Sequence, residues 1–258
     1  MTIPALFDLS GQTAIITGSS RGIGRAIAHR MAEHGANVVV SSRKVEACEE
    51  AAAEINERVG RAAAIATACN ISSKDDLSNM VDLAARTFGQ VDHLVCNAAS
   101  NPYYGPLAEI ADEQFQKILA NNIVSNHWLV QLVAPAMRQR KSGTITIVSS
   151  IGGLRASTVI GAYNVSKAAD LQLVRNYAAE LGPDNIRVNA ICPGLIKTDF
   201  AKALWDNPDT LKRSTAHSTL KRIGEPDEIA GAAVFLAAPA GAFTSGHAMV
   251  IDGGATIV

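Results

Sequence analysis

The sequence predicts an α/β fold, a doubly wound parallel sheet of seven strands with helices on both faces, as a single domain over residues 1–258. Three observations carry this. Short β-rich runs recur along the chain. Several are apolar continuously, not alternately, as strands buried on both faces of a parallel sheet must be. Helical patterns fill the intervals, and neither a composition break nor an internal repeat marks a second domain.

The elements follow in order. TAIIT (13–17) is the first strand, and residues 22–34 form a helix with Ile23, Ile27 and Met31 four apart, stopped by Gly35. NVVVS (37–41) precedes an Ala- and Glu-rich helix over 45–59. AAIAT (63–67) precedes a helix over 74–88 that carries Leu77, Met80, Val81, Leu83 and Ala84 on one face. HLVCN (93–97) leads to a long helical segment, 112–140, and TITIVSS (144–150) leads to another, 159–182. RVNAI (187–191) is followed by residues 195–225, which break the rhythm and are read as a substrate-binding loop at a carboxyl strand end. Pro226 suits the first turn of a helix over 226–237, and AMVID (248–252) closes the sheet. The expected strand order is 3-2-1-4-5-6-7.

Bulk properties exclude several classes. Hydrophobic residues make up 48% and charged residues 18%, which suits a packed core and not a disordered chain. The net charge of −1 gives no nucleic-acid footprint and no polybasic membrane patch. No apolar run reaches the length of a membrane span. Cys48, Cys69, Cys96 and Cys192 are scattered without a CxxC pair, so neither a metal site nor a disulfide framework is expected. Reduced thiols, an N-terminus MTIPALFDLSGQ without a leader pattern, and an ending GGATIV without a peroxisomal address lead to the expectation of a cytoplasmic protein.

The first strand runs into Thr17-Gly18-Ser19-Ser20-Arg21-Gly22-Ile23-Gly24. Glycines let a backbone turn sharply against a pyrophosphate, and the following helix points unpaired N–H groups at the anion. A glycine-rich turn alone is weak evidence. Its place between a strand and a helix raises its weight and makes the predicted sheet Rossmann-type.

The spacing, TGxxxGxG, resembles that of the short-chain dehydrogenase/reductase family, in its single-domain branch. Four further motifs stand in the family's order: Asn97-Ala98-Ala99, Tyr163-Asn164-Val165-Ser166-Lys167, Pro193-Gly194, and Asp252-Gly253-Gly254. The resemblance covers almost the whole chain. Two positions depart from it. Ala99 stands for the usual Gly, an extra methyl beside the cofactor. Asn70 stands where many members carry Asp for the adenine amino group, and its Oδ1 can still accept.

The family's reaction is hydride transfer between a nicotinamide and a carbonyl or alcohol. Reducing a ketone needs a proton donor beside the developing alkoxide. A tyrosine phenol is a poor base, with a reference pKa of about 10, unless a cation favours its ionised form. Lys167, four residues after Tyr163 on a helix, shares its face. Tyr163 is therefore the candidate acid/base and Lys167 its modulator; the resemblance adds that Lys167 holds the nicotinamide ribose. Family spacing selects Ser150 over Ser149 as the second donor to the carbonyl. It also selects Asn122, before Ile123, over Asn121 as the helical Asn linked to the lysine through water. Singly, such Asn and Ser residues more often serve caps and turns; beside Tyr163 and Lys167 they read as a tetrad.

The resemblance implies cofactor contacts from Gly18, Ser20, Arg21, Gly22, Ile23 and Gly24, from Asn70 and Ile71, from Asn97 and Ala98, and from Tyr163 and Lys167. Pro193, Gly194, Ile196 and Thr198 are the corresponding candidates at the carboxamide. The substrate pocket is expected to involve Ser150 and Tyr163 with Tyr103, Tyr104, Leu154, Leu195, Phe200 and Trp205: apolar, with one reactive corner. Two adjacent tyrosines can equally be packing residues. NAASNPYYGP, YNVSK and PGLIKTDFAKALW resemble the NADPH-dependent carbonyl/retinal reductase subgroup, whose animal members carry the peroxisomal ending absent here. An acyl-carrier-protein ketoreductase has the same tetrad. A nucleotide-sensing protein on this fold usually loses the tyrosine or lysine. An extended epimerase or dehydratase usually has a longer C-terminal region. By resemblance, the helices over 112–140 and 159–182 pack against partner copies in a homotetramer.

One stretch bears on which nucleotide binds. VVVSSRK (38–44) ends a strand where an NAD-binding protein usually carries an acid for the ribose hydroxyls. An acid there would repel a 2′-phosphate. Ser42 can donate to one, Arg43 can cover it, and Arg21 can approach from the other side. Two solvated arginines are the ordinary alternative; beside a dinucleotide cleft, the pair reads as preference for NADP(H) over NAD(H).

Overall fold

A computed structural model describes residues 3–258. The N-terminal stretch read as lacking a leader begins with residues 1–2, which lie outside the described residues. Seven parallel strands form one sheet, β1 (Thr13–Thr17), β2 (Asn37–Ser42), β3 (Ala64–Ala68), β4 (His93–Cys96), β5 (Gly143–Val148), β6 (Ile186–Pro193) and β7 (Ala248–Ile251). Their order is β3-β2-β1-β4-β5-β6-β7, as expected. The order in which strands are added reverses at β1, which pairs β2 on one side and β4 on the other. That switch point opens a crevice at the carboxyl ends of the strands.

Helices cover both faces. One face holds α1 (Gly22–Glu33), α2 (Val45–Val59) and α8 (Pro226–Ala237); the other holds α3 (Lys74–Phe88), α5 (Ser125–Arg140) and α6 (Gly161–Leu181). Strand alternation divides the core between them. Ile16, Val38 and Val40 pack with Ile27, Met31, Ile55 and Ile229, whereas Ile15 and Val39 pack with Leu77, Met80, Leu129 and Val174. β1 and β4 are wholly buried, which is why their runs read as continuously apolar. The edge strands β3 and β7 are only partly covered.

Several boundaries differ from the sequence reading. β3 begins and ends one residue later than 63–67, while β6 extends beyond 187–191 at both ends. β4, β5 and β7 stop before Asn97, Ser149 and Asp252, so these polar residues lie beyond the sheet. Helix α6 starts at Gly161, not 159, because residues 159–160 pair with the loop after β4: Gly105 N–H donates to the Val159 carbonyl at 2.9 Å. The segment 112–140 is not one regular helix. α4 (Asp112–Leu119) passes into α5 through a π turn at Ala120–Val124. Side chains hold that turn open, with Ser125 Oγ donating to the Asn121 carbonyl at 2.6 Å and Asn126 Nδ2 to the Asn122 carbonyl at 2.7 Å. Residues 195–225 also carry structure: a 3₁₀ turn (Asp199–Leu204) and α7 (Pro208–Thr215). Asn207 caps α7 by accepting from the Asp209 and Thr210 N–H groups, and Pro208 sits in its first turn.

Candidate active site

The residues singled out for chemistry lie along the carboxyl end of the sheet, with the glycine turn, Asn97, Ser150 and the Pro193-Gly194 segment following β1, β4, β5 and β6, and Ser42, Arg43, Asn70 and Ile71 at the ends of β2 and β3. The glycine turn leaves β1 with Gly18 at φ 66° and Gly22 at φ 58°, conformations that side chains disfavour. Asn97, past the end of β4, fastens the turn: its Nδ2 donates to the Thr17 carbonyl at 2.9 Å and to the Gly18 carbonyl at 3.2 Å. A Cβ at Gly24 would lie 2.5 Å from both Asn97 Nδ2 and the Gly18 carbonyl oxygen. This glycine is therefore what lets α1 approach the turn. No side chain caps α1, so its first-turn N–H groups remain available to an anion. The Thr17 hydroxyl accepts from the Asn97 and Ala98 N–H groups, both at 3.0 Å, joining β1 to the loop after β4. Across the cleft, Thr198 lies close enough to Gly22 that a Cβ there would sit 3.2 Å from its methyl. A strand-to-helix glycine turn with uncapped amides, walled by Asn97 and Thr198, fits a dinucleotide pyrophosphate.

Residues at the adenine end are placed as follows. Ser42, at the end of β2, donates to the Lys44 carbonyl at 3.1 Å and lies 3.1 Å from Cys48 Sγ. Arg43 is exposed and makes no ion pair among the described residues. Arg21 does have a partner, Asp199 at 3.0 Å, so it spans from the glycine turn to the loop after β6. Both members are largely exposed, and such a bridge contributes little to stability. Asn70 Oδ1 accepts from the Ser72 N–H at 3.2 Å and keeps a second lone pair. Ile71, next to it, packs its apolar body against the core under α3.

The reactive cluster lies on α6. Tyr163 is partly exposed, and Lys167, one turn on, is 1% exposed. Lys167 Nζ lies 5.6 Å from the Tyr163 ring centroid. It donates to the Val148 carbonyl at 2.9 Å and to Asp170 Oδ2 at 3.0 Å. The two serines after β5 separate by role. Ser149 is buried and donates to the Lys167 carbonyl at 2.9 Å, a tie between sheet and helix. Ser150 accepts from the Gly152 N–H at 3.0 Å, capping the 3₁₀ turn Ile151–Gly153, and its hydroxyl bears on Tyr163.

Asn122 is fully buried in the π turn. Its side chain clamps the loop after β4, accepting from the Ser100 N–H at 2.8 Å and donating to the Ser100 carbonyl at 3.1 Å. It also donates to Ser166 Oγ at 3.0 Å on α6. Asn121 extends the clamp, donating to Ser100 Oγ at 2.9 Å and accepting from Ser72 Oγ at 2.7 Å. Beside the expected link through water, a path of side chains joins Asn122 to the lysine. Asn126 Nδ2 bonds the Asn122 carbonyl and Asp170 Oδ1, and Asp170 holds Lys167, so protein side chains complete the path.

Asp170 and Asn126 were missed in the sequence. A signal existed. Residues 163, 167, 170, 174, 177 and 181 fall on one helical stripe, and all but Tyr163 are buried. A carboxylate inside such a stripe needs a partner, and Lys167 is three residues away.

Electrostatics follow from burial. Desolvation pushes the Tyr163 phenol above its ordinary value; Lys167 pulls against this and Asp170 adds to it. Burial works against charge on Lys167, but Asp170 and Tyr163 hold its ammonium above the usual range. Burial pulls the Asp170 carboxyl up, against the attraction of Lys167 and hydrogen bonds from Lys167 and Asn126.

Residues expected around substrate sit at the rim. Phe200 is 58% exposed, with its ring centroid 5.8 Å from that of Tyr163. Tyr104 and Leu154 are exposed, while the Tyr103 hydroxyl is spent on the Pro106 carbonyl at 2.9 Å. Leu195 is partly buried, and its carbonyl accepts from the Gly224 N–H at 3.0 Å, closing the base of the loop. Ile196 is buried, and the Trp205 indole N–H donates to the Thr198 carbonyl at 2.9 Å, bracing the segment after Pro193-Gly194.

Comparisons agree with this geometry. Residues 18–256 match a family model described as enoyl-(acyl carrier protein) reductase. Dehydrogenase/reductase SDR family member 4 of Bos taurus is 39% identical over 247 residues, which cover 95% of this chain and 88% of that protein. Among solved structures, a 7α-hydroxysteroid dehydrogenase complexed with NADH and 7-oxo glycochenodeoxycholic acid is 37% identical, with a TM-score of 0.92 over 98% of each chain. A gluconate 5-dehydrogenase from Burkholderia cenocepacia J2315, in complex with NADP and tartrate, is 29% identical, with a TM-score of 0.92 over 98% of each chain.

Proposed function

Because the chain belongs to the short-chain dehydrogenase/reductase family of oxidoreductases, we propose that it interconverts ketones and secondary alcohols with NADP(H), using Tyr163 as acid/base. The observation that carries this reading is the placement of Tyr163, Lys167 and Ser150 around one corner at the sheet's carboxyl end. When bound, a nicotinamide supplies or takes the hydride at the carbonyl carbon. Tyr163 Oη gives its proton to the carbonyl oxygen as C=O becomes CH–OH, and recovers it in the reverse direction. Ser150 donates a hydrogen bond to the same oxygen. Lys167 favours the tyrosinate that remains, and has one ammonium proton beyond its bonds to Val148 and Asp170 for the ribose side. Phe200, Tyr104 and Leu154 offer the apolar rim against which a substrate's carbon skeleton rests. A panel of ketones and secondary alcohols, assayed with both reduced and both oxidised cofactors, tests the reading. No turnover on any of them would favour a nucleotide-sensing protein.

The NADP(H) preference rests on the end of β2, where Ser42 and the exposed Arg43, without an ion pair among the described residues, stand in place of an acid. Arg21 can turn from its exposed bridge with Asp199 toward a 2′-phosphate at little cost. Ser42→Asp combined with Arg43→Leu should reverse the preference, read as the ratio of kcat/KM for NADPH to that for NADH. An unmodified enzyme that prefers NADH would sink this part of the proposal.

Assembly as a homotetramer is supported by apolar side chains left exposed on the two segments named for it, Val124 on the π turn and Val165 on α6. Val250, Ile257 and Val258 add a second exposed apolar group near β7. Light scattering should give four times the 27.0 kDa chain mass; a monomer mass contradicts this.

A further inference from the structure

Asp170 is 0% exposed, on the helix stripe that carries Tyr163 and Lys167. Its two oxygens point to two elements. Oδ2 accepts from Lys167 Nζ at 3.0 Å, and Oδ1 accepts from Asn126 Nδ2 at 3.1 Å on α5. A buried carboxylate is costly to keep, and an apolar residue would fill this stripe at lower cost. We propose that Asp170 is a positioning residue: it fixes the Lys167 ammonium, ties it to the π turn, and sets the pH at which the Tyr163–Lys167 pair gives up its proton. The inference rests on the reading of Tyr163 as acid/base and deepens it.

Titratable side chains facing Asp170 are Lys167 and Tyr163 on α6, Cys96 on β4 and Cys192 on β6. Both thiols are buried, Cys192 being pushed up to about 11 and Cys96 further, so they stay neutral over the working range. Asn126 on α5 carries no charge. The cluster therefore holds one ammonium and one carboxylate, and is neutral while Tyr163 keeps its proton. Ionising Tyr163 leaves a net negative charge on a cluster whose other two members are buried. Without the carboxylate, the cluster would start positive, and loss of one proton would make it neutral. This holds whether the proton leaves tyrosine or lysine, since the two titrate as a coupled pair. Asp170 thus raises the pH of that step. It keeps Tyr163 protonated, ready to donate to a carbonyl, at pH values where the lysine alone would ionise it.

The test is the pH dependence of kcat for the secondary alcohol turned over fastest, in the wild type, Asp170→Asn and Asp170→Glu. Oxidation needs the deprotonated pair and rises with pH. Asp170→Asn should move the midpoint down by about one to three pH units. Asp170→Glu, which restores the charge, should bring it back toward the wild-type value. Equal midpoints in wild type and Asp170→Asn overturn the proposal, and a merely structural role for Asp170 would lower the rate without moving them. A titration that needs neither turnover nor cofactor decides the case independently. The absorbance of tyrosinate in the unliganded wild type, minus that of Tyr163→Phe, isolates Tyr163 from Tyr103, Tyr104 and Tyr177. The Tyr163 midpoint should lie lower in Asp170→Asn than in the wild type, with Asp170→Glu between them or at the wild-type value. Equal Tyr163 midpoints in the wild type and Asp170→Asn overturn the proposal. A wild type that turns nothing over removes the functional reading and leaves this titration standing.

Discussion

Tyr163→Phe is expected to lower turnover by about 10²–10⁴-fold while NADPH still binds. The substitution removes only the phenol oxygen. The ring keeps its place beside Phe200 at 5.8 Å and under the Lys167 ammonium at 5.6 Å, so the pocket wall and the Lys167–Asp170 pair persist. No neighbouring group can stand in as donor. Ser150 accepts from the Gly152 N–H and keeps its O–H for a hydrogen bond to the carbonyl oxygen, but a serine alcohol gives up its proton far less readily than a phenol, and Lys167 is held by Val148 and Asp170. Single-turnover rates with pre-bound NADPH, together with fluorescence titration of NADPH, check this. Retained turnover would remove Tyr163 from the chemistry. Lost binding would mean that the variant had disturbed the cleft instead.

Lys167→Met should be the more damaging change to the fold. Methionine fits the apolar part of the lysine's space but leaves Asp170 fully buried without its cation. Removing one partner of a buried pair costs about 3–5 kcal/mol, and the main term is the stranded charge. That cost depends on pH. With Lys167 gone, burial is opposed only by the Asn126 hydrogen bond and raises the Asp170 carboxyl above its value in the unfolded chain. Such a group favours the folded state below its unfolded pKa, and this advantage is lost as pH rises through the folded pKa. The variant's melting temperature, relative to wild type, should therefore recover as pH falls from neutral toward 5. A deficit independent of pH would mean that Asp170 is not the source of the damage. Adding Asp170→Leu should restore stability without restoring turnover.

What the sequence disclosed divides along a physical line. Strand order and both helical layers were readable because continuous apolar runs and the stripe Ile23, Ile27, Met31 are local consequences of burial. The Tyr163–Lys167 pair was readable because four residues on a helix make neighbours. The π turn was not, since Ala120–Val124 contains no proline or glycine and its shape depends on Ser125 and Asn126 bonding backwards to freed carbonyls. Asp170 was hidden for a related reason: its meaning comes from α5 and β5, far away in the chain. Helix α7 was overlooked although Asn207-Pro208-Asp209 is a helix-start signal, because the polarity of 195–225 was read as loop.

The Asn121–Asn122 clamp also decides which parts of the cleft move together. Ser72, in the loop after β3, and Ser100, in the loop after β4, bond to the same pair of adjacent amides. The two loops meet at one buried amide, whose oxygen accepts from Ser72 and whose nitrogen donates to Ser100. Displacing either loop therefore disturbs the anchor of the other, and that anchor is set by a distortion in a helix to which neither loop belongs.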